Sequence, residues 1–289
     1  MKKENYMKFQ LNGLKHLSAR ITNKLFLIYT VLQVRLLSKR KMKILFSSHP
    51  GLEAPIRDGF KFTPHEITFS ELSQSNIKDY DLVVPLTIGD LKYLNTIRNQ
   101  IIDNPIPIPS MESIELCDDK DQLNQLLIAH NFGIYIPKIG GTQTFPYILK
   151  KKIDYSGENS HIIFNSEQEL LYSEILSNPE YFTQELITGP LEYATHILFK
   201  NQKIVYSINI EYNFETETPI KGKTKSFYLK VCRNPYHELF ASILKSTGFE
   251  GICCFNYKVR DNLPMIIEIN PRFGGSLAPY FPSFMKHLN

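Results

Sequence analysis

Residues 267–275, Ile-Glu-Ile-Asn-Pro-Arg-Phe-Gly-Gly, gather two oxygen-bearing side chains, a guanidinium and a glycine pair. Side chains two apart on a strand share a face, so Glu268 and Asn270 point the same way. Pro271 stops the strand, Arg272 follows, and Gly274-Gly275 let backbone N–H groups approach a ligand closely. Hard oxygen ligands, a forked cation and a glycine turn suit Mg²⁺ and phosphate. Glu-x-Asn alone reads equally well as an edge strand with a charged face. The added Pro-Arg-x-Gly-Gly favours the chemistry.

That strand needs a partner, and the sequence supplies one just upstream. Gly251–Val259 and Met265–Asn270 are apolar runs separated by Arg260–Pro264, with Asp261-Asn262 as turn chemistry, so they form a β-hairpin. The hairpin sets Asn256 beside Glu268. Cys253 and Cys254, adjacent on one strand, face opposite sides.

From Lys43 onward short apolar strands alternate with helical stretches. Lys43–Ser47, Glu66–Phe69 and Asp81–Pro85 read as strands and Asp90–Arg98 as a helix, which suggests a small parallel sheet. His49-Pro50-Gly51 marks a loop over residues 47–58 at the carboxyl end of the first strand, where open α/β sheets bind ligands. Residues 117–139 read as one capped helix and its exit, ending at Asn131 or Gly133. No G-x-G-x-x-G occurs, and Gly222-Lys223-Thr224 fails as a P-loop because position 217 is Glu217, not glycine.

The 289 residues suffice for one or two domains, and 43% hydrophobic with 21% charged residues is ordinary globular composition. The net charge of +4 is unevenly spread. Residues 1–43 carry eleven Lys/Arg and one acid, Glu4, hence +10, leaving 4 − 10 = −6 for the rest. A mildly acidic body argues against nucleic-acid binding, which calls for a basic stripe on the fold itself. Four cysteines without C-x-x-C or metal spacing fit a reduced, cytoplasmic setting.

Residues 1–42 form a basic extension with Leu11, Leu14, Leu17, Ile21, Leu25, Ile28, Leu32 and Leu36 at helical steps. The ten-residue apolar run between Lys24 and Arg35 is too short to span a bilayer. Three readings stand: a helix lying peripherally on an anionic (inner) membrane surface, a helix packed on the protein or a partner, or sequence upstream of a true start at Met42.

With these pieces in place, residues 43–285 resemble the ATP-grasp superfamily, whose last core strand carries a Glu-x-Asn-Pro-Arg signature. The resemblance implies an α/β (α+β) architecture: an N-terminal open α/β domain over 43–116 and an ATP-grasp domain over 117–289. The latter divides into a lid over 117–187 and a mostly antiparallel core sheet over 188–289. It also implies a ligase that uses ATP and Mg²⁺ (or Mn²⁺) to join a small-molecule carboxylate to an amine or similar nucleophile through an acyl phosphate.

Residue by residue, the resemblance puts Lys120 and Lys150 on the nucleotide phosphates. Alone, Lys120 reads as a solvated helix charge, and Lys151 and Lys152 leave the register of Lys150 open. Gly157, in Ser156-Gly157-Glu158-Asn159-Ser160, belongs to the loop that closes over the phosphates. Gln184, Glu185 and Leu186 form the adenine hinge, and Glu192, seven positions beyond Glu185, grips the ribose. Lys225, in a basic run with Lys221 and Lys223, is the candidate for the transferred phosphate, although a solvated loop explains the run equally well. Arg272 steadies the tetrahedral intermediate. Glu268, Asn270 and Asn256 hold the metal. Many family members carry aspartate at the Asn256 position, and asparagine removes a charge there. Family members also continue past the signature, whereas this sequence stops fourteen residues after Gly275. A clipped enzyme and a non-catalytic nucleotide-binding remnant therefore both remain as readings. A carboxylase relative is a further alternative.

Overall fold

In the computed structural model, residues 2–38, 40–141, 144–155 and 157–288 are described, with side chains from residue 13. Three sheets organise them. Strands β1 (Lys43–Ser47), β2 (Glu66–Ser70) and β3 (Leu82–Val84) form a parallel sheet in the order β2-β1-β3. Strands β4 (Tyr147–Lys151), β5 (His161–Ile163) and β6 (Tyr181–Glu185) form an antiparallel sheet, β5-β4-β6. The largest sheet, all antiparallel, joins β7 (Leu191–Lys200), β8 (Lys203–Phe214), β9 (Ser226–Cys232), β10 (Gly251–Arg260) and β11 (Leu263–Asn270) in the order β11-β10-β7-β8-β9.

Strand alternation builds two cores on opposite faces of the five-stranded sheet. Leu198, Ile208, Ile210 and Ile252 pack toward the parallel sheet and the C-terminal segment. Ile197, Phe199, Cys253 and Phe255 pack toward the helix His237–Ser246, where Phe240 stacks on Phe255 at 4.3 Å. Cys253 and Cys254 do part company, Cys253 into this core and Cys254 toward the cavity described below.

Helix α1 (Lys2–Leu37) packs on β9 and the C-terminal segment, and helix α2 (Pro50–Phe60) lies against the parallel sheet at β2. The segment expected to be a loop after β1 is therefore mostly helix. Pro50 sits in the first turn, where its missing N–H costs nothing, and Ile56 and Phe60 recur one turn apart to reach the core. Helix α3 (Ile88–Thr96) starts on a reciprocal capping box between Thr87 and Asp90, and Asp90 also accepts from Ser47 Oγ at 2.7 Å. The capped helix expected from residue 117 is α5 (Lys120–Leu127), and a separate helix, α4 (Met111–Asp118), precedes it. Asp119 breaks them because its carboxylate caps α5, accepting from the backbone of Asp121 and Gln122 at 3.0 Å each. Asn131, with φ of 66°, marks the exit as expected.

Helix α1 covers the edge strand β9. Asn23 completes the strand's backbone pairing, donating to the Leu229 carbonyl at 2.8 Å and accepting from Val231 N–H at 2.9 Å. An edge so covered cannot recruit a foreign strand.

Candidate active site

A cavity of about 380 Å³ lies between the β4–β6 sheet and the five-stranded sheet. From one side Ile148 and Lys150, two apart on β4, face it; from the other come Glu192 and His196 of β7, Asn256 and Lys258 of β10, and Glu268 and Asn270 of β11. The segment Gln184–Ile187 forms the edge that joins the two sheets.

Lys150 is buried and donates to two neutral acceptors, Gln184 Oε1 at 3.1 Å and the Ile267 carbonyl at 3.2 Å. That carbonyl is available because the register skips Ile267: Asn256 pairs with Glu268 but Tyr257 with Ile266. Such a bulge frees one backbone group from the ladder. Burial pulls the Lys150 ammonium down to about 8. A buried cation held by neutral dipoles is a site prepared for an anion. Its neighbours are engaged elsewhere, Lys151 with Glu180 at 3.2 Å and Lys152 with Asp121 at 3.0 Å, so of the three Lys150 is the one that lines the cavity.

Lys120 is also buried rather than solvated. It donates to the Asp154 carbonyl at 2.9 Å and lies 3.6 Å from Glu268 Oε2. Burial would raise the Glu268 carboxyl, but Lys120 and Lys150, then the amides of Asn270 and Asn256, outweigh it and hold it down to about 2. Glu268 is an anion throughout the physiological range.

Glu268 Oε1 accepts from Asn256 Nδ2 at 2.6 Å and from Asn270 Nδ2 at 2.9 Å. Asn256 Oδ1 in turn accepts from Lys221 Nζ at 2.6 Å. Partner chemistry dictates this orientation, because an ammonium can only donate and a carboxylate can only accept. Asn256 lies beside Glu268 as expected, with its carbonyl oxygen accepting from Lys221 in this structure. The residues that fit a divalent cation are Glu268 and the Asn270 carbonyl oxygen. Among the described residues no group of three or more His, Cys, Asp or Glu could hold a metal alone. One carboxylate and one amide suit a Mg²⁺ that arrives with phosphate oxygens.

Lys225 is exposed and does not line the cavity, whereas Lys221, four residues earlier in the same basic run, does. Lys221 lies 3.7 Å from Glu192 and 4.3 Å from the centre of the Tyr212 ring. Burial opposes its charge, yet Tyr212 and Glu192 outweigh that and raise it further above the usual lysine range. Glu192 is buried, and burial raises its carboxyl despite Lys221 and Lys258. Glu185 lines the cavity but turns its carboxylate to Arg260, leaving Gln184 and the backbone through Leu186 as the hinge surface. Arg272 borders the cavity with its guanidinium 5.9 Å from the Tyr155 ring. Gly157, at φ of 65°, leaves room for Ile220, whose Cγ2 would lie 3.0 Å from an added Cβ. Its neighbour Ser156 lies outside the described residues.

Among the lining residues that the sequence reading did not single out are His196 and Lys258. Both continue two-residue periods, Glu192-Ala194-His196 and Cys254-Asn256-Lys258, that start from flagged positions. Lys258 donates to the Gly189 carbonyl at 2.6 Å. His196 is fully buried, shares a 2.8 Å hydrogen bond with Ser276 Oγ, and is driven down to about 3 by burial and then by Lys221. A Cβ on Gly274 would stand 2.5 Å from His196 Cε1. Gly274→Ala is therefore expected to lower stability by about 1–3 kcal/mol in thermal unfolding, and His196→Ala in the same background to recover part of the loss.

The parallel N-terminal sheet, the small antiparallel lid and the five-stranded antiparallel core together make an ATP-grasp fold, as likeness to solved structures shows. A phosphoribosylamine–glycine ligase from Thermotoga maritima superposes with a TM-score of 0.60 at 15% identity, over 82% of this chain and 70% of that one. D-alanine–D-alanine ligase from Bacillus anthracis gives 0.56 at 15% identity, over 86% and 96% of the two chains. An L-amino acid ligase from Bacillus licheniformis gives 0.57 at 12% identity, over 84% and 70%. In sequence, 148 residues are 27% identical to the Mycoplasma pneumoniae protein described as an uncharacterized MG011 homolog, 45% of this chain and 51% of that one. The match thus spans about half the length of this curated relative. No protein-family profile matches the chain.

Proposed function

We propose that the protein is an ATP-dependent ligase that activates a carboxylate as an acyl phosphate and passes the acyl group to an amine or similar nucleophile. The observation that carries this reading is the meeting of Lys120, Lys150 and Glu268 in one cavity, bounded by the Gln184–Ile187 hinge. Lys150 and Lys120 would steady the triphosphate, Glu192 would accept the ribose hydroxyls, and Glu268 with Asn270 would hold Mg²⁺. The metal, when bound, neutralises phosphate charge.

In the first step a carboxylate oxygen bonds to the γ-phosphorus while the bond to ADP breaks. In the second, the amine nitrogen attacks the acyl carbon, phosphate leaves, and the nitrogen gives up a proton. Neither step demands a dedicated base as much as alignment and charge neutralisation. Lys221 and Arg272 border the cavity as cations able to steady developing oxygen charge. The reaction class places the enzyme among soluble small molecules, and the net negative body supports the absence of a nucleic-acid partner.

The test is ADP release from ATP and Mg²⁺ over a panel of amino acids and small carboxylates, each with and without an amine. Release that requires a carboxylate supports the ligase; nucleotide-induced thermal stabilisation without release across the panel supports a nucleotide-binding protein instead. One observation favours that second reading: Asn256, occupied by Lys221, leaves a single carboxylate for the metal.

A further inference from the structure

Helix α1 is apolar on two opposite sides. One side, with Ala19, Thr30 and Val34 buried and Asn23 bonded to β9, packs on the body. On the other, Leu14, Leu17, Ile21, Leu25, Ile28, Leu32 and Leu36 are all about half exposed or more, from Ile28 at 49% to Leu36 at 82%. At 100° per residue these seven fall within an arc of about 100°. The stripe is continuous over about 33 Å of helix. Seven large aliphatic side chains in one row leave an apolar patch that a monomer in water does not ordinarily maintain.

Charge and period say what covers it. No acidic residue occurs between Glu4 and Glu53, and Lys15, Arg20 and Lys24 flank the stripe; further on, Arg35 donates to the Phe62 carbonyl while Arg40 and Lys41 pair with Asp81 and Glu66 on the body. A second copy would bring this basic helix against itself. The apolar positions also repeat at eleven (Leu14, Leu25, Leu36; Leu17, Ile28; Ile21, Leu32), not at the seven that a left-handed coiled coil requires. No described helix is long and apolar enough to cross a membrane. An apolar row between basic side chains, presented on a helix anchored by its opposite face, fits one surface well. Aliphatic groups enter the acyl boundary, and the flanking ammonium and guanidinium groups reach anionic headgroups.

We infer that the exposed face of α1 docks the protein in-plane on a bilayer rich in anionic phospholipid. In a flotation assay, the 289-residue chain is expected to rise with vesicles of equimolar phosphatidylglycerol and phosphatidylcholine. It should stay behind with phosphatidylcholine alone, and raised salt should release it. Ile21→Glu with Leu25→Glu should cut partitioning at least about tenfold while leaving the melting curve in place, because both side chains are more than half exposed, at 52% and 61%. Arg20→Glu with Lys24→Glu should do the same without touching the apolar row. Absence of vesicle binding, binding unaffected by either pair, or a solution dimer dissolved by the Ile21/Leu25 pair would each overturn the inference.

Discussion

Glu268→Gln is expected to lower carboxylate-dependent ADP release by at least about 100-fold. The carboxylate is the only anion among Lys120, Lys150, Asn256 and Asn270, and its loss removes the one charged ligand available to a phosphate-borne metal. The same change should alter stability in a pH-dependent way that a purely catalytic residue would not show. Glu268 is held down to about 2 in the folded chain. Its contribution, on the order of 3 kcal/mol, is therefore fully present above the ordinary carboxylate range and lost as pH falls toward 2. Melting curves of the two proteins should differ most near neutrality and converge as pH is lowered through about 4 toward 2. Equal turnover, or a stability gap independent of pH, would remove Glu268 from the centre of the site.

Lys150→Met should weaken nucleotide binding by about 100-fold, the effect of losing a charge-assisted contact to phosphate in a buried setting. In the parent protein the ammonium sits at about 8 because it is buried. A bound polyanion favours the charged form and raises that value, so binding above pH 8 must take up a proton. Affinity is thus expected to fall as pH rises past 8, by up to about tenfold per unit, and to be nearly flat over that range in the variant. Titration calorimetry in two buffers of different ionisation enthalpy reads the proton directly. A pH-independent parent affinity, or tight binding by the variant, would show that Lys150 does not meet the nucleotide.

Much of the site could be read in advance because its residues lie on strands. Glu268 and Asn270 share a face by a period of two, which the chain itself dictates, and the same period carried on from Glu192 leads to His196, which was missed. The hairpin was equally readable: Asp261 and Asn262 both adopt positive φ, 51° and 62°, which these residue types tolerate in a two-residue turn. Loops and helix junctions were not. Lys221, Lys223 and Lys225 are interchangeable as text, and only the fold of their loop against β8 and β10 turns Lys221 toward Asn256 and Glu192. Helix α2 was hidden by His49-Pro50-Gly51, since proline and glycine signal a loop unless the proline falls in a first helical turn.

Taken alone, the sequence determined the class of fold, the strands that carry the chemistry and the types of residue able to bind a phosphate-rich ligand. These are properties of local period and side-chain identity. Tertiary structure decided which cations are buried, that Asn256 gives its carbonyl oxygen to Lys221, and that α1 has a covered face and a bare one. Those outcomes depend on which distant surfaces meet: burial turns Lys150 from an ordinary lysine into a poised one, and packing on β9 leaves the other side of α1 to be covered from outside.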